Sequence, residues 1–358
     1  VNAREVALLV IRDVFPQNGP ERSAQESLDY RAIKEKLNAR DRAFATELSY
    51  GAIKMRRALD WYLEPYIGGR DEPLNPVIKE ILRLGIFEIV YTRPDVHATV
   101  FETVNVAKHY GHKGTANLVN AVLRSFLRDQ PGPPQRESFA SDDDFLGTKF
   151  SLPSWLVRMW RGSFGDRVED ICAGVNGPQR AAVTANTLKI APHELVERFS
   201  EQSAKAAASK FVPESLLLDD ASFARRHESS AASAWWTQSE SSAMPVDILN
   251  PQTDESILDV CSGRGNKALQ IGARLAGTGR EMCLELDERK GAVLARRLED
   301  AGVTAGIVIG NAADDLLPAG TRFDRVLVDA PCSGIGIIGR HPESRWKKQP
   351  GDGERLGL

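Results

Sequence analysis

The residues Asp329-Ala330-Pro331-Cys332-Ser333-Gly334 follow Phe323–Val328, which reads as a buried strand, and set a carboxylate and a thiol three positions apart where it should end. Pro331 stiffens the stretch between them. That pairing suits covalent chemistry on an electron-poor pyrimidine. Carbon 5 of cytosine is too electron-poor to attack a methyl sulfonium directly. A thiolate added at C6, with a proton delivered to N3, turns the ring into an enamine whose C5 can attack. A base then takes the C5 proton and the thiol leaves. A buried, inert cysteine is the ordinary reading of a lone Cys, but the acid, the proline and the glycine around Cys332 argue against it here.

Three further strand ends carry candidate residues. Ile257-Leu258-Asp259-Val260 reads as a short buried strand, and Cys261-Ser262-Gly263-Arg264-Gly265-Asn266-Lys267 leads from it into a helix. Glycines allow a backbone to approach a ligand closely, and a helix start offers unpaired N–H groups. The loop is neither GxGxxG, since Ala268 stands at the third glycine position, nor a Walker A motif. Glu285 ends the next strand 26 positions after Asp259, where an acid can accept the hydroxyls of a ribose. Asn311, after Gly306–Ile309, places a side-chain amide where an adenine edge could be read.

These strand ends need a parallel sheet to hold them. From residue 250 onward, strands at 257–260, 282–285, 306–309 and 323–328 alternate with helices at 267–275 and 290–301. Alternation of this kind predicts a doubly wound α/β sheet, whose ligands gather at the carboxyl ends of its strands. Residues 1–128 differ in kind and read as helices only, with Asn75-Pro76 as a helix start, breaks at Thr92–Asp95 and Gly111–Gly114, and Gly51 interrupting a run from Arg40 to Leu63. Such helices with short connections favour a bundle. Residues 129–150 read as a Pro-rich, then acidic, linker, and Leu152–Phe164 as the start of a second globular piece. Within 151–245 a strand (182–188), a helix (193–200) and weaker strands form a small α+β subdomain, with a low-complexity loop at 228–234.

Composition bounds the alternatives. The chain has 358 residues, 42 % apolar and 27 % charged, which suits two or three well-packed domains. No apolar run approaches the roughly 18–20 residues of a spanning helix. Four cysteines, none in a CxxC pair, indicate neither a disulfide framework nor a zinc knuckle, so a reduced, cytoplasmic protein without a metal is expected. The net charge of −3 divides into +3 over residues 1–128 and −6 over the remainder, too slight a tilt to mark RNA binding.

The motifs themselves resemble a known family. Asp259–Lys267, Glu285, Asp329–Gly334 and Arg340-His341-Pro342-Glu343 with Arg345-Trp346 are similar to the Nop2/Sun family of RNA cytosine-C5 methyltransferases. Arg40-Asp41-Arg42-Ala43, Glu47–Gly51, Leu82–Gly85 and Leu118–Arg124 look like the NusB-type helical domain. That pairing resembles the Sun/Fmu branch, which acts on bacterial 16S ribosomal RNA. The resemblance implies an all-α NusB-like RNA-binding domain at 1–128, then an α+β subdomain at 151–245. A Rossmann-like methyltransferase domain at 246–358 follows. It further implies S-adenosyl-L-methionine as cofactor, held by Cys261, Ser262, Gly263, Arg264, Gly265, Asn266, Lys267, Glu285, Asn311 and Asp329. Cys332, Asp329 and Lys267 are the implied catalytic residues, and RNA the partner of a monomer. A cation near Cys332, with Lys267 the candidate, would favour its thiolate.

The sequence departs from the family at three places. Gly263–Ala268 stands where Ala-Pro-Gly-Gly-Lys-Thr is usual, and Asn311 where aspartate is usual. The family's nucleophilic cysteine lies in a Thr-Cys-Ser stretch on a later strand, and the Asp-Ala-Pro-Cys cysteine is credited with product release. No Thr-Cys-Ser occurs in these 358 residues. The expectation is therefore a fragment lacking the last part of the methyltransferase domain, with an open sheet edge. The alternative is that Cys332 acts alone. Candidate RNA contacts are 54–57, 158–161 and 340–348, where Trp346 would either stack a base or anchor the core. A non-catalytic RNA-binding module is the competing function. A dehydrogenase or amino-methyltransferase lacks its motif.

Overall fold

The computed structural model describes residues 2–69, 73–178, 180–227 and 233–356. Its contacts divide the chain into two compact units, one formed by residues 1–177 with 333–358 and the other by 178–332. No helix among the described residues is long and apolar enough to cross a membrane.

The first unit is helical, as expected for residues 1–128. α1 (Ala3–Val14) and α2 (Ala24–Lys34) open on capping boxes, Asn2 with Glu5 and Ser23 with Glu26. α3 (Ala39–Lys54) starts at Asn38 and α4 (Arg56–Ile67) follows after Met55. α5 (Pro76–Tyr91) is capped by Asn75, with Pro76 in its first turn. α6 (Val96–Tyr110) is capped by Asp95, and α7 (Lys113–Asp129) by His112. α5 is the axis of the bundle and is buried on all sides, including its charged residues Glu80, Arg83 and Glu88. Arg83 reaches Asp60 at 2.7 Å and Glu80 at 2.6 Å, while Glu88 accepts from Arg4 and from Thr99. Gly51 does not interrupt α3. It lies inside the helix because the ring of Phe87 occupies the space a Cβ would take, 1.8 Å from Cζ.

The stretch read as a linker contains a helix. Ser141 caps α8 (Asp142–Lys149), whose first turn is three aspartates, a favourable charge for a helix start. α9 (Ser154–Phe164) and α10 (Val168–Asn176) pack with it around Leu152, Val157, Trp160 and Cys172. Arg57 binds this trio to α4 through Thr148, Ser154 and the Leu152 carbonyl at 2.7–3.1 Å.

The second unit carries two four-stranded sheets. The antiparallel one has β1 (Ala181–Ala185), β2 (Ala206–Ala208), β3 (Ser215–Leu218) and β4 (Trp235–Thr237) in the order β2-β3-β1-β4. α11 (Pro192–Glu201) and α12 (Ala221–His227) accompany it, and Phe199 meets Phe223 and Trp235 edge-on in its core. Of the loop expected at 228–234, residues 228–232 lie outside the described residues.

After α13 (Glu240–Leu249) comes the parallel sheet: β5 (Ser256–Val260), α14 (Asn266–Arg274), β6 (Arg280–Glu285), α15 (Glu288–Ala301), β7 (Gly306–Ile309) and β8 (Arg325–Val328), in the order β7-β6-β5-β8. The described helices lie over one face, where Ile257, Asp259, Cys283 and Leu327 are buried. β8 was expected to be buried throughout. Only Leu327 is, and Val326 and Val328 are 49 % and 63 % exposed, because they point to the opposite face.

Candidate active site

The strand order reverses at β5, whose neighbours are the next strand β6 and the distant β8. A crevice forms at such a switch point, and here it opens into a cavity of about 1080 Å³ that also runs past Trp235–Thr237, Arg297 and Ala301. Asp259, Cys261–Arg264, Asn266, Lys267 and Asp329 line it. Glu285, Asn311 and Cys332 stand at the same carboxyl edge but outside this lining.

The turn after β5 is tight. Cys261, Gly263 and Gly265 all have positive φ, and at Gly265 a Cβ would come within 2.4 Å of Leu294. Glu285 ties the turn down, accepting from the Gly263 N–H at 2.7 Å and from the Asp287 N–H at 2.9 Å. Its side chain is buried rather than presented to the crevice. Asn266 is also engaged: its amide donates to the Thr237 carbonyl at 3.1 Å, and its oxygen accepts from Arg297 at 2.6 Å. Asn311 is exposed and folds back on its own turn, accepting from the Ala313 N–H.

Lys267 reaches across to Asp329, with Nζ donating to Oδ2 at 2.5 Å. The ammonium expected beside Cys332 is thus bonded to the carboxylate three residues before it. Cys332 is exposed, whereas Cys172 and Cys283 are buried and Cys261 is half-buried. Burial pushes the Cys172 thiol up to about 11 and raises those of Cys261 and Cys283 as well.

Beneath the crevice, Asp259, Glu281 and Cys283 bring their acid and thiol atoms within 4.8 Å of one another, all buried. Burial pushes the Asp259 carboxyl up to about 6, against the pull of the Lys267 charge, and raises Glu281 well above the usual carboxylate range. Both oxygens of Asp259 and one of Glu281 have no hydrogen-bond partner. A cation held there would have to displace protons. Glu281 and Arg297 escaped the sequence reading. Residues 281, 283 and 285 alternate onto one face of a strand, which was a usable signal for Glu281. Arg297 sits on an ordinary amphipathic helix and offered none.

The basic segments proposed for RNA are largely committed elsewhere. Arg56 pairs with Glu80, and Arg57 binds the α8–α9 turn. Arg158 and Arg161 pair with Asp143, and Arg161 also with Asp142. Arg345 is 1 % exposed and donates to Asn176 and the carbonyls of Ser151 and Ile338. Trp346 is a core anchor: its Nε1 donates to the Ile53 carbonyl at 2.6 Å and its ring packs on the helical core. It is not free to stack a base.

Comparison with known proteins agrees with this geometry. The NusB family model matches residues 1–128, the ferredoxin-like domain model of RsmF/B-like methyltransferases 152–223, and the 16S rRNA methyltransferase RsmB/F model 246–357. The probable ribosomal RNA small subunit methyltransferase B of Bacillus subtilis (strain 168) is 32 % identical over 330 residues, covering 89 % of this chain and 72 % of that protein. The protein of the same description from Synechocystis sp. is 30 % identical over 362 residues, covering 98 % and 78 %. The crystal structure of PH0851 shares the fold, with a TM-score of 0.72 at 20 % identity over 99 % of this chain and 80 % of its own.

Proposed function

The chain belongs to the ribosomal RNA small subunit methyltransferase B family, and we propose that it methylates C5 of a cytosine in 16S ribosomal RNA, with S-adenosyl-L-methionine as donor. It is an rRNA methyltransferase. The reading includes a cytoplasmic monomer. The single observation that supports the chemistry best is the Lys267–Asp329 pair at the end of β8, three residues before the exposed Cys332.

The crevice suits the donor. Its volume exceeds what a nucleoside needs. The start of α14 supplies N–H groups, and Asp259 supplies two buried, unbonded carboxylate oxygens that suit the ammonium of a methionine moiety. Cys261 to Lys267 would wrap that moiety, with Glu285 on the ribose side and Asn311 on the adenine side. When bound, S-adenosyl-L-methionine supplies an electrophilic methyl carbon.

The chain's own residues handle the pyrimidine. Cytosine inside a helix shields C6, so the target is unpaired or flipped out. Lys267 keeps Asp329 oriented, and as the thiolate adds, the proton for N3 comes from the Lys267 ammonium by way of Asp329. On the alternative in which Cys332, the exposed cysteine among the described residues, acts alone, its thiolate bonds to C6, and C5 takes the methyl group as S-adenosylhomocysteine leaves. A base removes the C5 proton, the C6–S bond breaks with Cys332 leaving as the thiolate, and N3 returns its proton to the Lys267–Asp329 pair.

Cys332→Ala tests this. Methyl transfer should fall about a thousandfold or more, with no denaturant-stable adduct on RNA carrying 5-fluorocytidine. If Cys332 serves release instead, a protein–RNA adduct accumulates on ordinary RNA. Unchanged methylation without an adduct refutes the reading.

A further inference from the structure

The two ends of the turn after β5 are fastened differently. Its first half hangs on β6, with the Ser262 N–H donating to the Leu284 carbonyl and the Gly263 N–H to Glu285. Its second half is fastened by one arginine from α15. Arg297 Nη1 donates to the Arg264 carbonyl at 2.8 Å and to Asn266 Oδ1 at 2.6 Å. Asn266 passes the restraint on, its amide donating to the Thr237 carbonyl at the end of β4. One guanidinium and one carboxamide thus span three elements: α15, the turn and the last strand of the antiparallel sheet.

We propose that Arg297 and Asn266 are positioning residues that hold the cofactor turn in its binding shape. They do by hydrogen bonding what a proline would do covalently. Arg264 and Asn266 stand at the positions where proline and the second glycine of Ala-Pro-Gly-Gly-Lys-Thr are usual. A proline there would fix φ by its ring. Arg264 leaves the backbone free to rotate, and the turn must already sustain positive φ at Cys261, Gly263 and Gly265. An unrestrained turn of that kind spends part of its time in other conformations, and ligand affinity falls by the fraction so lost. Arg297 is well chosen for the task, because its planar fork loses little freedom per bond formed. A donor that remains charged also bonds a carbonyl more strongly than a neutral one.

The inference rests on reading Cys261–Lys267 as the cofactor turn, and its test separates the two. The probe is S-adenosylhomocysteine, titrated calorimetrically into the full chain. Arg297→Ala should weaken binding about tenfold, the worth of one charge-assisted hydrogen bond. Arg296→Ala, which removes the same charge from an exposed neighbour on α15, should leave it unchanged. Arg297→Lys should recover part of the loss. In turnover the loss should appear in KM for the donor, with kcat little altered. Arg297→Ala with Asn266→Ala together should cost more than either alone but less than their sum, since the two share one hydrogen bond. Equal affinity in wild type and Arg297→Ala overturns the positioning role. Absence of binding by the wild-type chain overturns the cofactor reading instead, as well as this inference.

Discussion

In the helical unit Arg83, Glu88 and Arg345 are 5 %, 3 % and 1 % exposed, and each is hydrogen-bonded to several partners, although Arg345 Nε and one oxygen of Glu343 lack one. In the second unit Asp259 is as deeply buried, at 1 %, yet neither of its oxygens is bonded. Glu281 beside it leaves one oxygen unbonded as well. A buried polar group that is satisfied holds segments together, whereas an unsatisfied one raises the energy of the empty fold. Such groups concentrate where a ligand completes the bonding. The contrast teaches which buried charges are architecture and which await a partner.

The sharpest way to break that contrast is Arg345→Ala. Loss of the guanidinium strands the Ser151 and Ile338 carbonyls and Asn176. Denaturant unfolding followed on the helical signal should show a loss of about 4 kcal/mol. Burial lowers the Arg345 pKa only to about 10, so the effect should be independent of pH between 5 and 8.

Asp259 should behave in the opposite way. Its folded pKa of about 6 lies above the ordinary value of 3.8, so between those limits the folded chain holds more protons than the unfolded one. Stability from this group is complete below pH 3.8 and is lost as pH rises through 6, a decline of about 3 kcal/mol. Asp259→Asn should flatten that part of the pH–stability curve and stabilise the empty protein at pH 8, while weakening donor binding. If Asp259→Asn proved as damaging at pH 8 as Arg345→Ala, the distinction between the two units would fall. The smallest effect sets the scale for an ordinary surface bond. Ser141→Ala removes the cap of α8 and should cost about 1 kcal/mol at neutral pH, less as pH falls toward 2 and Asp144, whose carboxylate the Ser141 hydroxyl also bonds, is protonated.

Much of this was legible before the fold was known. The helix start at Asn75-Pro76 showed in its local cap, and the same local chemistry at Asn2, Ser23, Asn38 and Asp95 was there too but escaped the sequence reading. The strand ends at Asp259, Glu285 and Asp329 were equally plain, because a parallel sheet sends its loops to one edge. The failures share a cause. The stretch 340–348 read as a candidate RNA contact, with Trp346 either stacking a base or anchoring the core, yet the partners of Arg345 and Trp346 lie at residues 53, 151 and 176, far along the chain. Gly51 read as a break because Phe87, which fills its missing side chain, is 36 residues away. Asn266 read as a ligand contact because nothing nearby in sequence announced Arg297.

The return of residues 333–358 to the helical unit has a consequence for how the protein is made. The whole of 178–332 is an insertion, so the bundle is translated in two instalments. At about 5–20 residues per second, roughly 10–30 s separate the emergence of α10 from that of Arg345 and Trp346. During that interval the acceptors at Ile53, Ser151 and Asn176 are without their donors. The nascent bundle lacks those closing bonds while the two sheets leave the ribosome.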